Sequence, residues 1–214
     1  MLRVVIGTPA YSGITVGYLH SLIKTLGAAT ANGILVTVDT EEGSSIITAA
    51  RNKTVRRFLD SGADVLFFID SDMAWEPDAF LKLATCEHDV AACAYRMKRT
   101  DSVEHYTCLI NSGPDGCPIV KDGWIDCEAA GTGFMAIKRH VFDRIEAPEF
   151  SGSDGTMKAW FDFEVHSGRY WGEDYTFCRR AGGVMVWPDA KFAHYGQSAW
   201  VGNLHEFLVR SANA

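Results

Sequence analysis

The chain has 214 residues, enough for one large domain or two small ones. It carries 20 basic and 27 acidic residues, a formal net charge of −7, and 47% of its residues are hydrophobic. This composition is typical of a globular protein and argues against intrinsic disorder. The acidic balance also argues against a protein that coats nucleic acid by charge alone, although it leaves room for a small basic cleft.

The first half of the chain alternates between strand-like and helix-like hydrophobic patterns. Continuous apolar runs predict strands at residues 2–7, 34–38, 65–69 and 90–94. Helical spacing of apolar residues predicts helices at about 15–26, 47–61 and 78–85 between them. Strands and helices that alternate with short connections favour a parallel sheet with right-handed crossovers.

The second half follows a different pattern. Turn signals and short strand-like pieces fill residues 98–127, and residues 129–138 are glycine-rich and then strand-like. After a loop-rich stretch, a short helix at 174–181 and a strand at 184–187 are predicted. Since no repeat or linker interrupts the chain, we expect one domain, a nucleotide-type α/β half followed by a more irregular half.

The ends of the chain and its cysteines favour a cytoplasmic protein without a membrane partner. The apolar run at the N-terminus is too short for a signal peptide, and the longest apolar run, 65–69, cannot span a bilayer. The six cysteines form no C-x-x-C pair, and their wide spacing indicates reduced thiols. A zinc site on Cys108, Cys117 and Cys127 is the alternative to buried thiols.

The sequence Asp70-Ser71-Asp72 directly follows the most hydrophobic predicted strand. Ligands of open α/β sheets bind at the carboxyl edge, and strand alternation places Asp70 and Asp72 on the same side. Two carboxylates this close repel each other unless a cation or a proton lies between them. Divalent cations often share carboxylate oxygens with substrate phosphates. The spacing therefore favours a metal–diphosphate site, with an acidic turn at a strand end as the alternative.

Two further features carry titratable side chains. Glu173 and Asp174 begin a predicted helix, where the dipole keeps a carboxylate ionised, as a general base requires. They could instead serve only as helix caps. His194 follows a strand and a turn at Pro188, and it is either a ligand or a hydrogen-bonded structural residue.

The chain resembles the GT-A glycosyltransferases in six short pieces of sequence, which occur in the same order as in that family. The resemblance is to the inverting family 2 type, particularly its small stand-alone bacterial and phage relatives, and covers residues 4–196. The pieces are Gly7-Thr8-Pro9-Ala10-Tyr11, Ala50-Arg51-Asn52, Phe68-Ile69-Asp70-Ser71-Asp72-Met73, Gly131-Thr132-Gly133-Phe134-Met135-Ala136-Ile137-Lys138-Arg139, Trp171-Gly172-Glu173-Asp174 and Ala193-His194-Tyr195-Gly196. The resemblance implies an α/β fold of the GT-A type. Its Rossmann-like, mainly parallel central sheet would be flanked by helices, with a nucleotide-binding half at 1–97 and a smaller, irregular acceptor and catalytic half at 98–214.

The resemblance also implies a nucleoside-diphosphate sugar as donor. A UDP-sugar is the expected donor, because such donors are common in the family. The residues implied for donor binding are Thr8, Pro9, Tyr11, Asp39, Arg51, Asp70, Ser71, Asp72 and Gly133. Asp39 would contact the base, although residues 40–45 depart from the family's D-D-G-S pattern. Arg51 would reach a phosphate or the base, or else be a solvated helix charge. Gly133, with Gly131, would let the backbone approach the sugar.

The catalytic roles follow from the same resemblance. Asp72 and His194 would ligate Mn²⁺ or Mg²⁺, and Asp70 would belong to the same metal site and face the ribose or the donor sugar. The cation would neutralise the departing nucleoside diphosphate. Asp174 would remove the proton from the acceptor hydroxyl, and the reaction would proceed with inversion. Glu173 would orient the acceptor or hold the site together.

The acceptor is not identified by any motif, and other functions stay open. A sugar-phosphate nucleotidyltransferase has a similar architecture, but its first loop is usually basic, whereas residues 7–13 contain no Lys or Arg. The basic segments 51–57 and 96–99 are compatible with a nucleic-acid-binding protein without turnover. A glycosyltransferase acting on a hydroxyl of a modified nucleic-acid base would place Arg96, Lys98 and Arg99 near the acceptor. Trp171 would offer a flat face to a sugar ring or pack in the core.

Overall fold

The computed structural model describes residues 1–100, 103–152, 155–196 and 199–212. In chain order the elements are β1 (Leu2–Ala10), α1 (Val16–Ala31), β2 (Ile34–Glu42), α2 (Ile47–Ser61), β3 (Val65–Ile69), β4 (Met73–Ala74), α3 (Pro77–Ala84), β5 (Val90–Ala92), β6 (Cys108–Ile110), β7 (Val120–Lys121), β8 (Trp124–Ala130), β9 (Phe134–Lys138), α4 (Val141–Arg144), β10 (Glu149–Gly152), β11 (Gly155–Lys158), β12 (Glu164–His166), β13 (Arg169–Trp171), α5 (Glu173–Ala181), β14 (Val184–Val186), β15 (Lys191–Tyr195), β16 (Ala199–Asn203) and α6 (Leu204–Ala212).

A nine-stranded sheet runs through the centre of the molecule in the order β2-β1-β3-β9-β5-β14-β8-β6, and β7 pairs with β8. β1 is parallel to β2 and β3, and β14 is parallel to β5. Helices pack against both faces of this mainly parallel sheet, which confirms the predicted α/β fold class. Strands from both predicted halves of the chain contribute to it.

β9 adds an antiparallel strand between strands of the first half, which were expected to form a parallel sheet with one another. β9 comes from the second half of the chain, yet it lies antiparallel between β3 and β5. Its first four residues are buried. A strand that is apolar on both faces can occupy the centre of a sheet, where helices cover both sides.

β3 shows how the core divides into two layers. Leu66 and Phe68 pack on the face covered by α2, α4 and α5, whereas Val65, Phe67 and Ile69 pack on the face covered by α1 and α3. Because successive side chains of a strand point to opposite faces, an entirely apolar strand must be covered on both sides. The buried strand β3 therefore fixes the position of the residues that follow it at the carboxyl edge of the sheet.

Several elements extend beyond their predicted bounds. α1 continues to Ala31, and β2 continues to Glu42 because its register with β1 is unbroken to Ala10. Part of the segment 40–45, which departs from the family's D-D-G-S pattern, therefore belongs to β2. The stretch predicted to be loop-rich contains two antiparallel hairpins, β10–β11 and β12–β13. α2 and α5 end at glycines with positive φ, Gly62 and Gly182, which directly follow the predicted helices at 47–61 and 174–181.

The six cysteines are free thiols. Within the described ranges, no group of three or more His, Cys, Asp or Glu side chains could hold a metal ion, so the alternative of a three-cysteine zinc site is wrong. In the same part of the chain, no helix is both long and apolar enough to cross a membrane.

Asn52 joins α2 to the segment that follows β11. Its side chain donates to the Phe161 carbonyl (2.8 Å) and accepts from the Phe161 amide (3.0 Å), and both residues are buried. Because Asn52→Ala would leave two buried backbone groups without partners, we expect it to lower the free energy of unfolding by about 2–4 kcal/mol. Urea denaturation measures this. The control Asn32→Ala removes an exposed side-chain bond to Ala28 and should cost under about 1 kcal/mol.

Candidate functional site

The candidate site lies at the carboxyl edge of the sheet, where the chain leaves β3. The Asp70 amide donates to the Gly133 carbonyl (3.1 Å), and the Met73 amide donates to the Asp70 carbonyl (3.1 Å). The Ser71 carbonyl accepts from the Thr15 amide (2.9 Å), which begins α1. Backbone hydrogen bonds to two other elements therefore fix the turn that carries Asp70 and Asp72.

Arg51 links this turn to the start of α5. Its guanidinium donates to Asp70 Oδ1 through Nη2 (3.1 Å), and its Nε lies 3.5 Å from Glu173 Oε1. The guanidinium also sits over the Phe68 ring, 5.2 Å from the centroid. Arg51 is only 3% exposed, so the alternative of a solvated helix charge is wrong. Within the described residues, its Nε and Nη1 have no hydrogen-bond partner.

The charges around Arg51 shift the pKa values of this group. Burial alone would lower the pKa of Arg51, but Asp70, Glu173 and Asp174 raise it, so its charge is permanent. Burial raises the pKa of Asp174 to about 6, and the neighbouring Glu173 adds to the rise, while Arg51 opposes it. A carboxyl with a pKa close to neutral pH can accept a proton efficiently and still be ionised at pH 7.

Tyr95 lies at the centre of the site, although no motif of the sequence marks it. Its hydroxyl accepts from the Gly133 amide (3.1 Å), and its ring centroid is 5.0 Å from that of His194. A Cβ at Gly133 would overlap the Tyr95 hydroxyl and lie 2.9 Å from Asp70 Oδ2. Burial, and then the charges of Asp70 and Asp174, raise the pKa of Tyr95, so the hydroxyl stays neutral. Gly133 is therefore needed for the contact with Tyr95.

Asp72, His194 and Lys98 form the second part of the site. His194 Nε2 lies 3.6 Å from Asp72 Oδ1, and Lys98 Nζ pairs with Asp72 Oδ2. His194 Nδ1 is 3.0 Å from the Arg96 carbonyl oxygen. Because a carbonyl only accepts, this contact assigns a proton to Nδ1 and leaves the Nε2 lone pair facing Asp72. Burial lowers the pKa of His194, which favours this neutral form.

Asp72 and His194 together fit a divalent cation that is shared with a substrate. Two unprotonated acceptors that face each other at 3.6 Å are stabilised by a cation between them. The Arg96 carbonyl holds the His194 ring in the tautomer that a metal ligand requires. Mg²⁺ commonly takes one or two protein ligands and completes its shell with substrate phosphates. The pair therefore fits such an ion, with the remaining ligands supplied from outside the chain.

Some residues implied for donor binding lie at the margin of this group. The Tyr11 side chain is 67% exposed, beyond the carboxyl end of β1. Asp39 at the same edge is engaged by Arg57 through Nε at 2.9 Å. Pro9 is partly exposed, whereas Thr8 is buried. These residues share the sheet edge with Asp70 without contacting its carboxylate.

Two side chains implied for the site are buried in the core. The Thr8 hydroxyl hydrogen-bonds to that of Tyr18 on α1. Trp171 is only 5% exposed and packs with the core beneath α5, so its proposed role as a flat face for a sugar ring is wrong. Its indole packs against the Arg169 guanidinium, whose carbon is 4.8 Å from the ring centroid.

No protein-family model matches the chain, and no curated protein matches it. Among solved structures it is similar to A197 from STIV, with a TM-score of 0.59 and 19% identity over 91% of this chain and 86% of that one. At that identity the likeness shows a shared fold.

Two further structures are more distant. The inositol-1-phosphate CTP transferase from T. maritima has a TM-score of 0.43 and 14% identity, over 91% of this chain and 89% of that one. S. aureus TarS 1–349 in complex with UDP has a TM-score of 0.44 and 13% identity, over 94% of this chain and 60% of that one.

Proposed function

We propose that the chain is a metal-dependent glycosyltransferase of the GT-A type. It would move a sugar from a nucleoside-diphosphate sugar to an acceptor hydroxyl, with inversion. The observation that carries the proposal is the junction at one sheet edge of a buried arginine, Arg51, with Asp70, Glu173 and Asp174. Tyr95 connects this group to His194 and thereby to Asp72.

The donor would bind above the carboxyl ends of β1, β2 and β3. Tyr11 and Pro9 are exposed enough to contact a nucleotide there, and Thr8 would support them from beneath. Asp70 is held by Arg51 with one oxygen and keeps the other for a ribose or sugar hydroxyl. Asp39 would contact the base only if Arg57 shared its carboxylate.

Asp72 and His194 would hold Mn²⁺ or Mg²⁺ against the diphosphate of the donor. When bound, such an ion supplies Lewis-acid stabilisation of the charge that develops on the leaving group. The protein's own contribution is orientation, because the Arg96 carbonyl fixes the His194 ring and the backbone of β15 holds the turn through the Tyr195 amide.

Asp174 would act as the general base. Its raised pKa gives it more affinity for a proton than an exposed aspartate has, and its place in the first turn of α5 keeps it ionised at neutral pH. Glu173 is engaged by Arg51 and would position the acceptor side of the site. Inversion requires only one attack, by the activated hydroxyl on the sugar carbon opposite the leaving diphosphate.

The basic segment at 96–99 gives no added support for a nucleic-acid acceptor. Lys98 is paired with Asp72, and Arg96 lies 3.9 Å from Glu104 and packs over the Trp200 ring. A hydroxylated nucleic-acid base therefore stays one acceptor class among others to be tested.

Donor hydrolysis tests the proposed function without knowledge of the acceptor. The purified chain is incubated with UDP-, GDP- and dTDP-sugars in Mn²⁺, and release of the nucleoside diphosphate is measured. We expect slow release from one donor, abolished by chelation and absent from Asp174→Asn purified in parallel. Release of pyrophosphate from a nucleoside triphosphate and a sugar phosphate, with no donor hydrolysis, would instead indicate a nucleotidyltransferase.

The metal ligands can be tested by calorimetry. We expect Asp72→Asn and His194→Ala each to weaken Mn²⁺ binding in the presence of a nucleoside diphosphate by at least about tenfold. The first replaces a charged oxygen ligand with a neutral one, and the second removes a ligand. His205→Ala is the matched control, since this exposed histidine pairs with Asp189 on the surface. Unchanged Mn²⁺ affinity in His194→Ala would return His194 to a structural role.

A further inference from the structure

We propose that the Lys98 ammonium occupies the cation position on Asp72 until a divalent ion binds. The ammonium then moves away from Asp72 and pairs with the diphosphate of the donor. This inference rests on the proposed function and adds a positioning residue to it. The sequence places Lys98 only in a basic segment, whereas the structure places its ammonium on the carboxylate that follows β3.

Lys98 lies where a divalent ion on Asp72 would have to displace it. Its Nζ pairs with Asp72 Oδ2, while His194 Nε2 lies 3.6 Å from Oδ1 of the same carboxylate. The ammonium therefore neutralises the carboxylate that would also serve as a metal ligand. A divalent ion with Asp72 and His194 as ligands would repel an ammonium bound to the same carboxylate, so the two cations compete for Asp72.

The backbone around Lys98 keeps its side chain close to the site after displacement. The Met97 amide donates to the His105 carbonyl (2.7 Å), and the backbones of Arg96 and Tyr106 form an isolated antiparallel β-bridge. The Arg96 carbonyl also holds the His194 ring. These contacts fix the chain beside Lys98 whether or not its side chain is on Asp72. The displaced ammonium would thus stay within the reach of its four-carbon stem, next to the phosphates shared by the metal.

The exposure of the pair makes the exchange feasible. About a third of each side chain is exposed (32% for Lys98 and 33% for Asp72), so neither charge is locked in the core. Partly exposed ion pairs contribute little stability, and a divalent ion can displace the ammonium at small cost. The released ammonium gains the negative charge of a diphosphate in return.

The test measures two affinities of Lys98→Met by calorimetry. Because Mn²⁺ alone no longer has to displace the ammonium, we expect its affinity to rise about three- to tenfold. In saturating Mn²⁺, we expect the affinity for the tightest of UDP, GDP and dTDP to fall about tenfold. Lys121→Met is the matched control, because Lys121 on β7 forms the same kind of lysine–aspartate pair with Asp126 on β8, outside the candidate site. It should change neither affinity.

Changes of opposite sign in Lys98→Met, with an unchanged melting temperature, support the exchange. Unchanged or weaker Mn²⁺ binding, or unchanged nucleotide binding, overturns this inference while the proposed function stands, provided that the wild-type chain binds both. A wild-type chain that binds neither Mn²⁺ nor any of the three nucleotides overturns the proposed function and the inference with it.

Discussion

Asp174→Asn is expected to lower turnover of the nucleotide-sugar donor by about 10²- to 10⁴-fold, the range that a positioned general base contributes. The amide keeps the size of the side chain and the acceptor oxygen that bonds the Tyr175 amide (2.8 Å), but it cannot take a proton. Steady-state kinetics with a saturating acceptor, or donor hydrolysis where none is known, measures the loss.

The same substitution should leave the fold intact or stabilise it. The pKa of Asp174 is raised from 3.8 to about 6 in the folded chain, so the folded state binds its proton more tightly than the unfolded state. The ionised side chain therefore opposes folding above pH 6, and this penalty disappears as the pH falls below about 4. At pH 7, Asp174→Asn should raise the free energy of unfolding by up to about 3 kcal/mol. Loss of activity with loss of stability would point to misfolding instead.

The pH profile gives an independent check on the base. Because the ionised form is the active one, kcat/KM for the wild-type chain should fall below pH 6 by about tenfold for each pH unit. Near-native turnover in Asp174→Asn, or an acid limb well below pH 5, contradicts the assignment of Asp174 as the base.

Arg51→Met is expected to lower the free energy of unfolding by about 3–5 kcal/mol at pH 7. Arg51 is a buried cation that neutralises Asp70, Glu173 and Asp174, and its removal leaves partly buried carboxylates without a counter-charge. Without Arg51 the pKa of Asp174 should rise further, so the folded chain takes up protons as the pH falls. The stability deficit should therefore be smaller at pH 5 than at pH 7.

Urea denaturation at both pH values measures the Arg51 effect. Arg56→Met on the same helix is the matched control, because Arg56 is exposed and pairs with Asp60 one turn away. Its cost should be below about 1 kcal/mol at either pH. Equal stability losses for the two variants would show that Arg51 does not hold the carboxylates together.

The first half of the fold could be predicted from the sequence because its signals are local. The apolar run at β3 and the helical spacing in α2 give the element type and its approximate bounds. The pairing of β9 with β3 and β5 could not be predicted, because it joins residues more than 40 positions apart. A strand-like run shows that a strand exists, but it does not show which neighbours it pairs with.

The candidate site was predicted in part for the same reason. Asp72 and His194 stand beside recognisable pieces of sequence, and the structure brings them to 3.6 Å. Arg51 was ambiguous because its burial depends on how α2 packs against α5. Tyr95 and Lys98 carry no local signal for their roles, since Tyr95 acts through Gly133 and Lys98 through Asp72.

The most direct measurement is a crystal structure of the wild-type chain grown with Mn²⁺ and a nucleoside diphosphate, with the metal located by anomalous scattering. We expect one peak within about 2.3 Å of an Asp72 oxygen and of His194 Nε2, bridged to the phosphates. We also expect the Asp174 carboxylate to face the space beside them. A nucleotide bound at another edge of the sheet, or a metal that contacts neither side chain, would contradict the account.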